Sequence, residues 1–214
     1  EQIGLVLAWA GLPQLLVIPF VPFLLKRFDA RVLVCVGLVI FAVSCFMNTH
    51  LSFNDGGEQL TSTNVIRAFG QAIVLSPLAS IAMANIGQGD SAAASGLFNM
   101  LRSLGGAIGT AALATVITKR EQFHSNIVGQ SVTGASPADQ AFLTKMEHYF
   151  WAHGVSDPAR AHHEAEILLG KFVAQQASIM AFSDAFFVMA VVLVVAAAFV
   201  AATKAPGGLR PSRV

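Results

Sequence analysis

The side chains that could do chemistry in this sequence are the few polar and charged groups inside its long apolar stretches. Residues 92–118 carry one charge, Arg102, and Asn99 lies three residues before it on the same face of a helix. An arginine inside a membrane-spanning helix costs at least about 2.5 kcal/mol, so it should face protein or water rather than lipid. We therefore expect Arg102 to line or brace a protein interior, and a snorkelling arginine near a helix end is the alternative.

A second polar pair, Arg67 and Gln71, stands four residues apart near the start of another apolar stretch and shares a helix face. The pair could line the outer mouth of a translocation path; the alternative is an interfacial arginine with a neighbouring amide. Asp184 is the one acid inside the last apolar stretch. A proton-carrying carboxyl there would need a pKa raised by burial, whereas an aspartate near the membrane surface would stay solvated.

Histidines and glutamates concentrate between residues 148 and 166, where a metal site could be built. The group comprises His148, His153, His162, His163, Glu164 and Glu166. His162 and Glu166 stand four residues apart, but no third ligand follows at a diagnostic spacing. The pattern therefore favours a solvated helix face and predicts no metal and no other cofactor. No nucleophile with a neighbouring base stands out either, so the sequence does not indicate an enzyme.

The composition is that of a membrane protein. The chain is 55% hydrophobic and 12% charged, with a mean hydropathy of +0.65, whereas soluble domains carry about 25% charged residues. The formal net charge is +1 and no basic stripe is present, which argues against nucleic acid as a partner. Residue 1 is Glu and the first residues lack the basic segment of a signal peptide, so we expect a portion of a longer protein.

Apolar stretches of about 20 residues can cross a bilayer as helices. Five such stretches predict an all-α, polytopic helical bundle. The five predicted spans are residues 3–25, 32–50, 64–86, 92–118 and 178–203. Residues 119–177 are polar and are expected to form an extracytoplasmic segment with two short amphipathic helices, starting at Ser136-Pro137 and near Pro158. Residues 204–214 form a basic tail.

Small residues in the fourth span recur at a spacing of four. Gly105 pairs with Gly109 in this way, Gly106 with Thr110, and Gly96 with a small residue four positions before it. Residues four apart share a helix face, and small ones there let two backbones approach closely. We therefore expect this face to pack against another helix.

Basic residues in the short loops predict the orientation. Lys26, Arg27 and Arg31 lie between the first two spans, and three more basic residues lie in the tail. The positive-inside rule makes both regions cytoplasmic, which puts residues 119–177 outside and the C-terminus inside.

Two runs resemble a known transporter family. Arg67-Ala68-Phe69-Gly70-Gln71-Ala72, followed by Pro77 in mid-span, and the run from Ser95 to Gly109 resemble the EmrB/QacA type of 14-helix drug/proton antiporter of the major facilitator superfamily. The resemblance covers essentially the whole chain and corresponds to helices 10 to 14. It implies a matching arginine at Arg102 and a substrate site near the membrane midplane, between two halves of which most of one is present.

The family's cytoplasmic loop pattern, Gly-x-Leu-x-Asp-Arg-x-Gly-x-Arg, is only partly kept between residues 22 and 31. Arg27 and Arg31 match it, but Pro22 and Asp29 replace the glycines and Lys26 replaces the acid. A charge latch built on that acid is therefore not expected on this side of the protein.

The resemblance implies the C-terminal portion of a proton-coupled multidrug efflux transporter in the bacterial inner membrane. Its expected partners are membrane lipid, hydrophobic small-molecule substrates, protons as coupling ion and the missing N-terminal half. The external segment would contact a periplasmic adaptor protein or, alternatively, form a lid on its own bundle. Two other functions stay open: a major facilitator transporter of another metabolite, and a non-transporting membrane scaffold subunit.

Overall fold

The computed structural model of the chain describes residues 11, 13–50, 57–83, 86–132, 136–155 and 157–203. Within these ranges the regular elements are helices, which confirms the predicted all-α class. The α-helices are α1 (Val21–Arg27), α2 (Ala30–Met47), α3 (Gly57–Met83), α4 (Ser91–Ser131), α5 (Pro137–Ala152) and α6 (Pro158–Ala202). Short 3₁₀ turns at Ile18–Phe20, Asn48–His50 and Gln88–Asp90 precede α1, follow α2 and precede α4.

Four of the described helices, α2, α3, α4 and α6, are long and apolar enough to cross a membrane. They correspond to the second to fifth predicted spans. The first predicted span, residues 3–25, lies partly outside the described residues. Its described end includes α1. Pro22 lies in the first turn of α1, where a backbone N–H has no partner within the helix, so the missing proline N–H costs no hydrogen bond.

Several helices extend beyond the predicted spans. α3 begins at Gly57 rather than near residue 64, α4 runs for 41 residues, and α6 runs for 45 residues. At a rise of 1.5 Å per residue α6 is about 68 Å long, roughly twice the hydrocarbon thickness of a bilayer. A change from apolar to polar residues marks where the membrane ends, but lysine, glutamate and glutamine continue a helix well in water. The second of the two short helices predicted in the external segment is therefore the polar first part of α6, residues 158–177.

The helix α5 begins where the sequence predicts. The Ser136 side chain accepts a hydrogen bond from the Asp139 backbone N–H at 3.1 Å, and Pro137 occupies the first turn. A turn after α5 contains Gly154, whose φ of +99° suits glycine. α6 then starts at Pro158, and Asp157 accepts a hydrogen bond from the Ala159 backbone N–H at 3.1 Å.

The chain divides into two compact units, Glu1–Ala112 with Ala185–Val214, and Leu113–Asp184. In the first unit α2 packs along α3. Ser44 is fully buried and its hydroxyl donates a hydrogen bond to the Thr63 carbonyl at 2.7 Å. Leu33, Val34, Cys45 and Pro77 are also buried in this unit.

In the second unit, α5 meets the polar first part of α6 through aromatic and ionic contacts. Phe142 and Phe172 stack edge to face with ring centroids 5.6 Å apart. Alanines form the buried row of α6 here: Ala161, Ala165, Ala177 and Ala181 are fully buried. Short side chains at intervals of four let neighbouring backbones approach, a role the sequence had suggested for the glycines of α4.

Candidate functional site

Arg102 and Asn99 lie on α4 with exposed side chains. Neither makes a hydrogen bond or an ion pair with another side chain in the part of the chain that the structure describes. The most apolar stretch of α4 is 0% buried, and Leu101 beside Arg102 is 59% exposed. In a bilayer this surface would contact lipid or further protein, and Arg102 favours protein because of the cost of a charge in lipid.

The four predicted packing glycines, Gly96, Gly105, Gly106 and Gly109, are also exposed. A Cβ placed on any of them meets no heavy atom within 4 Å. The described part of the chain therefore does not make the expected close contact at this face, which stays a prediction about helices outside it.

A close glycine contact occurs instead between α2 and α3, at Gly37 and Gly70. A Cβ on Gly70 would lie 2.8 Å from the Phe41 backbone nitrogen and 2.9 Å from the Gly37 carbonyl oxygen. A Cβ on Gly37 would lie 2.9 Å from the Gly70 carbonyl oxygen. These distances are shorter than real Cβ contacts, so the two backbones can cross here only because neither residue has a side chain.

The other predicted path residues, Arg67 and Gln71, lie on α3. Arg67 is half-buried and Gln71 is exposed. No hydrogen bond or ion pair among the described residues joins this pair to Asn99 or Arg102. The described contacts therefore do not link the four predicted path residues directly, and their common site stays a prediction.

Asp184, in contrast, has polar partners that the sequence did not indicate. The Asp184 Oδ2 atom lies 2.7 Å from Nε2 of His124 on α4, and Nε of Arg120 lies 3.6 Å from the same oxygen. One turn before His124, Glu121 accepts a hydrogen bond from the Ser178 hydroxyl at 3.3 Å. Asp184, His124 and Arg120, which we call the Asp184 cluster, form a polar contact between α4 and α6 in the second unit.

A local signal for the Asp184 cluster was present. Arg120 and His124 stand four residues apart just beyond the predicted end of the fourth span, so they share a helix face. That face carries one cationic and one titratable side chain, and it falls near the predicted membrane boundary, where Asp184 is also predicted to lie. The partner in α6 could not be read locally because it is 60 residues away.

A second ionic network joins α5 to α6. Nδ1 of His162 lies 2.5 Å from a Glu147 carboxylate oxygen, and its Nε2 lies 3.4 Å from Glu166. The hydrogen bond to Glu147 is the main cause that raises the pKa of His162 above its usual 6.5, and the charge of Glu166 adds to it against partial desolvation. Among the described residues no group of three His, Cys, Asp or Glu side chains is arranged to hold a metal ion.

This network predicts that the α5–α6 contact weakens as pH rises. Because the pKa of His162 is raised on folding, its stabilisation is fully present below the unfolded value of 6.5 and is lost as pH rises through the raised folded value. Amide hydrogen exchange in α5, corrected for the intrinsic effect of pH, should therefore increase on the alkaline side. His162→Gln should remove that pH dependence. Equal protection of α5 in acid and in alkali would contradict the prediction.

A shallow cleft of about 360 Å³ adjoins this network. Its lining is mostly apolar, with Glu166 as the charged member: Gly129, Val132, Leu143, Glu166, Leu169, Gly170 and Val173. Glu166 is also paired with His162 at 3.4 Å and with His163 at 3.8 Å.

Comparison with known proteins identifies the family. The chain is 26% identical over 92% of its length to the colistin resistance protein EmrB of Acinetobacter baumannii, and 30% identical over 69% of its length to the multidrug export protein EmrB of Escherichia coli. It is 26% identical over 86% of its length to the uncharacterized MFS-type transporter YhcA of Bacillus subtilis. The chain is a homologue of the EmrB-type transporters of the major facilitator superfamily. No protein-family model and no solved structure matches it significantly.

The chain spans between 30 and 38% of the length of these EmrB-type relatives. The resemblance inferred from the runs around Arg67 and Arg102 is confirmed at the level of the family. Two of the three relatives are named as transport or export proteins, which agrees with the lack of a catalytic constellation in the sequence.

The loop that resembles the EmrB-type cytoplasmic pattern has a defined local structure. Asp29 caps α2, where its side chain accepts a hydrogen bond from the Arg31 backbone N–H at 3.4 Å. The Arg31 guanidinium donates to the carbonyl of Thr203, directly after α6, where unpaired carbonyl groups favour a cation. Arg27 lies in the last turn of α1 and is exposed. Arg31 therefore ties the loop to the end of the last helix without the acid that the family pattern has.

Proposed function

We propose that this chain is the C-terminal portion, helices 10 to 14, of a proton-coupled transporter that exports hydrophobic small molecules. The observation that carries the proposal is α4, whose apolar stretch is 0% buried and yet contains Arg102 and Asn99. Such a helix needs a polar protein surface in the bilayer. In transporters built from two halves, that surface lies between the halves, where substrate also binds.

The substrate class comes from the relatives. The names of two of them refer to multidrug export and to colistin resistance. A transporter of another metabolite is the alternative within transport, and it predicts export that is indifferent to hydrophobic drugs. A membrane scaffold subunit is the alternative outside transport, and it predicts that Arg102 and Asn99 can be replaced without functional loss.

The proposal is tested with the full-length protein in a host that lacks its own drug exporters. Cells that express it should accumulate less of a fluorescent hydrophobic drug than cells with an empty vector, and an uncoupler of the proton gradient should abolish the difference. Accumulation equal to that of the empty vector, across several hydrophobic drugs and at verified membrane levels, would reject drug export.

The proposed topology places the protein in the cytoplasmic (inner) membrane with its C-terminus in the cytoplasm. α4 connects Asp90, in the turn before it, to the segment that leads to Ser136. In a variant without Cys35 and Cys45, a single cysteine at position 136 should react with an impermeant maleimide on intact cells, and one at position 90 should react only after lysis. Labelling of position 90 in intact cells would show that the orientation is inverted.

We propose that the external segment, residues 119–177, contacts a periplasmic adaptor protein in a two-membrane bacterium. Tyr149 and Trp151 on α5 support this, because they are 52% and 49% exposed, and exposed aromatic residues are enriched at protein interfaces. A photoreactive group at position 151 should then capture a second protein. The same group in place of Lys145, which is also exposed on α5, serves as the control. Products confined to the same polypeptide would favour the alternative, a lid on the transporter's own bundle.

A further inference from the structure

We propose that the Asp184 cluster is a proton-binding site at the extracytoplasmic end of the last two membrane-spanning helices, and that it takes up protons during export. The inference rests on the proposed transport function and extends it by assigning a proton site within this portion of the protein. It is carried by the geometry of Asp184, His124 and Arg120.

The hydrogen bond between His124 and Asp184 determines which atom takes up the proton. When Asp184 is ionised, its carboxylate can only accept hydrogen bonds, so the His124 tautomer that fits the 2.7 Å contact carries its hydrogen on Nε2 and donates it to Asp184 Oδ2. The second ring nitrogen, Nδ1, then holds the lone pair. Proton uptake forms one N–H bond at Nδ1 and turns the ring into an imidazolium, and release to water reverses that step with no other bond changed.

Arg120 sets the net charge of the cluster before and after proton uptake. Its Nε lies 3.6 Å from the same Asp184 oxygen, and an arginine stays protonated throughout the physiological range. With neutral His124 the charges of Asp184 and Arg120 cancel, and one proton takes the cluster to a net charge of +1. Because Arg120 and His124 contact the same carboxylate, the single negative charge of Asp184 does not neutralise both side chains when His124 is protonated. Histidine is also the side chain whose charge ordinarily changes between pH 5 and 8.

The exposure of the three side chains is graded. His124 is 19% exposed, Asp184 is 35% exposed and Arg120 is 51% exposed. The histidine is thus withdrawn from bulk water while the cluster remains accessible from the arginine side. The two sequence neighbours of Arg120 are also charged: Lys119 is exposed on α4, and Glu121 accepts a hydrogen bond from Ser178 of α6.

The position along α6 fits a site at the outer membrane boundary. Asp184 lies 18 residues before Ala202, the end of α6, which is about 27 Å of helix. That distance is close to the hydrocarbon thickness of about 30 Å, so the carboxylate lies near the outer surface when the C-terminal end is cytoplasmic. Within the apolar part of α6, Asp184 is the one acid that protons arriving from outside would meet.

The alternative is that the same three side chains form only a structural clamp between α4 and α6. Partly exposed ion pairs of this kind typically contribute about 1 kcal/mol or less. A clamp and a proton site differ in one measurable respect: loss of a clamp lowers the stability of the protein, whereas loss of a proton site changes how transport depends on external pH in protein that remains folded.

The test uses the full-length transporter in proteoliposomes, with drug-dependent proton flux measured at external pH 5 to 8. Wild-type flux should show a limb of up to about tenfold per pH unit, as for one titrating group. His124→Gln, which keeps a hydrogen-bond donor but cannot titrate, should flatten that limb, and Asp184→Asn should displace it. His148→Gln, an exposed histidine of the same segment, should leave the profile unchanged. A His124→Gln profile that superimposes on the wild type would overturn the inference.

A second measurement keeps the two proposals separable. In ¹⁵N-histidine-labelled wild-type protein, the ring nitrogens assigned through His124→Gln should report uptake of one proton at Nδ1 as the pH is lowered. If the wild type transports no drug but His124 titrates, the transport function fails and the proton site stands. If the wild type exports drug while the His124 signal is constant with pH, the proton site fails and the transport function stands.

Discussion

Replacing Gly70 with alanine should destabilise the protein, and replacing it with leucine should prevent a stable fold. The new Cβ would lie 2.8 Å from the Phe41 nitrogen and 2.9 Å from the Gly37 oxygen, and both are backbone atoms that cannot rotate away. Overpacking a tight contact costs about 1–3 kcal/mol even where side chains can adjust. Thermal unfolding of the purified protein in detergent should therefore shift to lower temperature for Gly70→Ala, and Gly70→Leu should not accumulate as folded protein.

The matched control is Gly129→Ala on α4, where a Cβ meets nothing within 4 Å. This change should be neutral or slightly stabilising, because alanine is favoured over glycine in a helix by about 1 kcal/mol. Gly37→Ala should behave like Gly70→Ala, since both side chains would enter the same crossing. If Gly70→Ala and Gly129→Ala unfold at the same temperature, the close crossing of α2 and α3 is not a feature of the folded protein.

Replacing Arg102 with alanine should abolish export by the full-length protein while leaving membrane insertion intact. The arginine lies within the apolar part of α4 and has no polar partner in the described part of the chain. A charge at this depth requires a partner or water, which we expect the remaining helices to provide. Drug accumulation at matched membrane levels measures the effect, and Leu101→Ala, next to Arg102 and also exposed, is the control.

Lysine at the same position distinguishes two roles for the arginine. If Arg102 makes several planar hydrogen bonds to carbonyl groups of neighbouring helices, Arg102→Lys should fail as well, since lysine lacks the guanidinium fork. If the positive charge alone is needed, Arg102→Lys should restore part of the export. Normal export by Arg102→Ala would show that the side chain snorkels to the membrane surface and has no role in transport.

The polar residues within the apolar stretches show how far local patterns reach. A charge or an amide in an apolar stretch is costly, and that cost can be read from the sequence alone. It marks Arg102, Asn99, Arg67 and Asp184. Whether they meet cannot be read in the same way. The structure joins Asp184 to His124, 60 residues away, and it leaves Arg102 and Asn99 without a described partner.

The two kinds of glycine show the same limit. Gly105 and Gly109 form a visible pattern because they are four residues apart, yet no described residue packs on them. Gly37 and Gly70 make the tight crossing, but neither has a small residue four positions away, so no local motif marks them. Close packing depends on which residue of the facing helix lies opposite, and that is a property of the pair of helices.

Several features followed from the sequence by itself: the all-α membrane class, the capped starts of α5 and α6, and the transporter family. They depend on transfer of apolar residues into lipid, on local hydrogen bonding and on short runs of residues. The structure revealed the lengths of α4 and α6, and the tertiary structure alone decided the crossing at Gly37 and Gly70 and the partners of Asp184. A helix continues into water wherever its residues favour helix, and contacts between helices depend on packing geometry over long sequence separations, which no local pattern records.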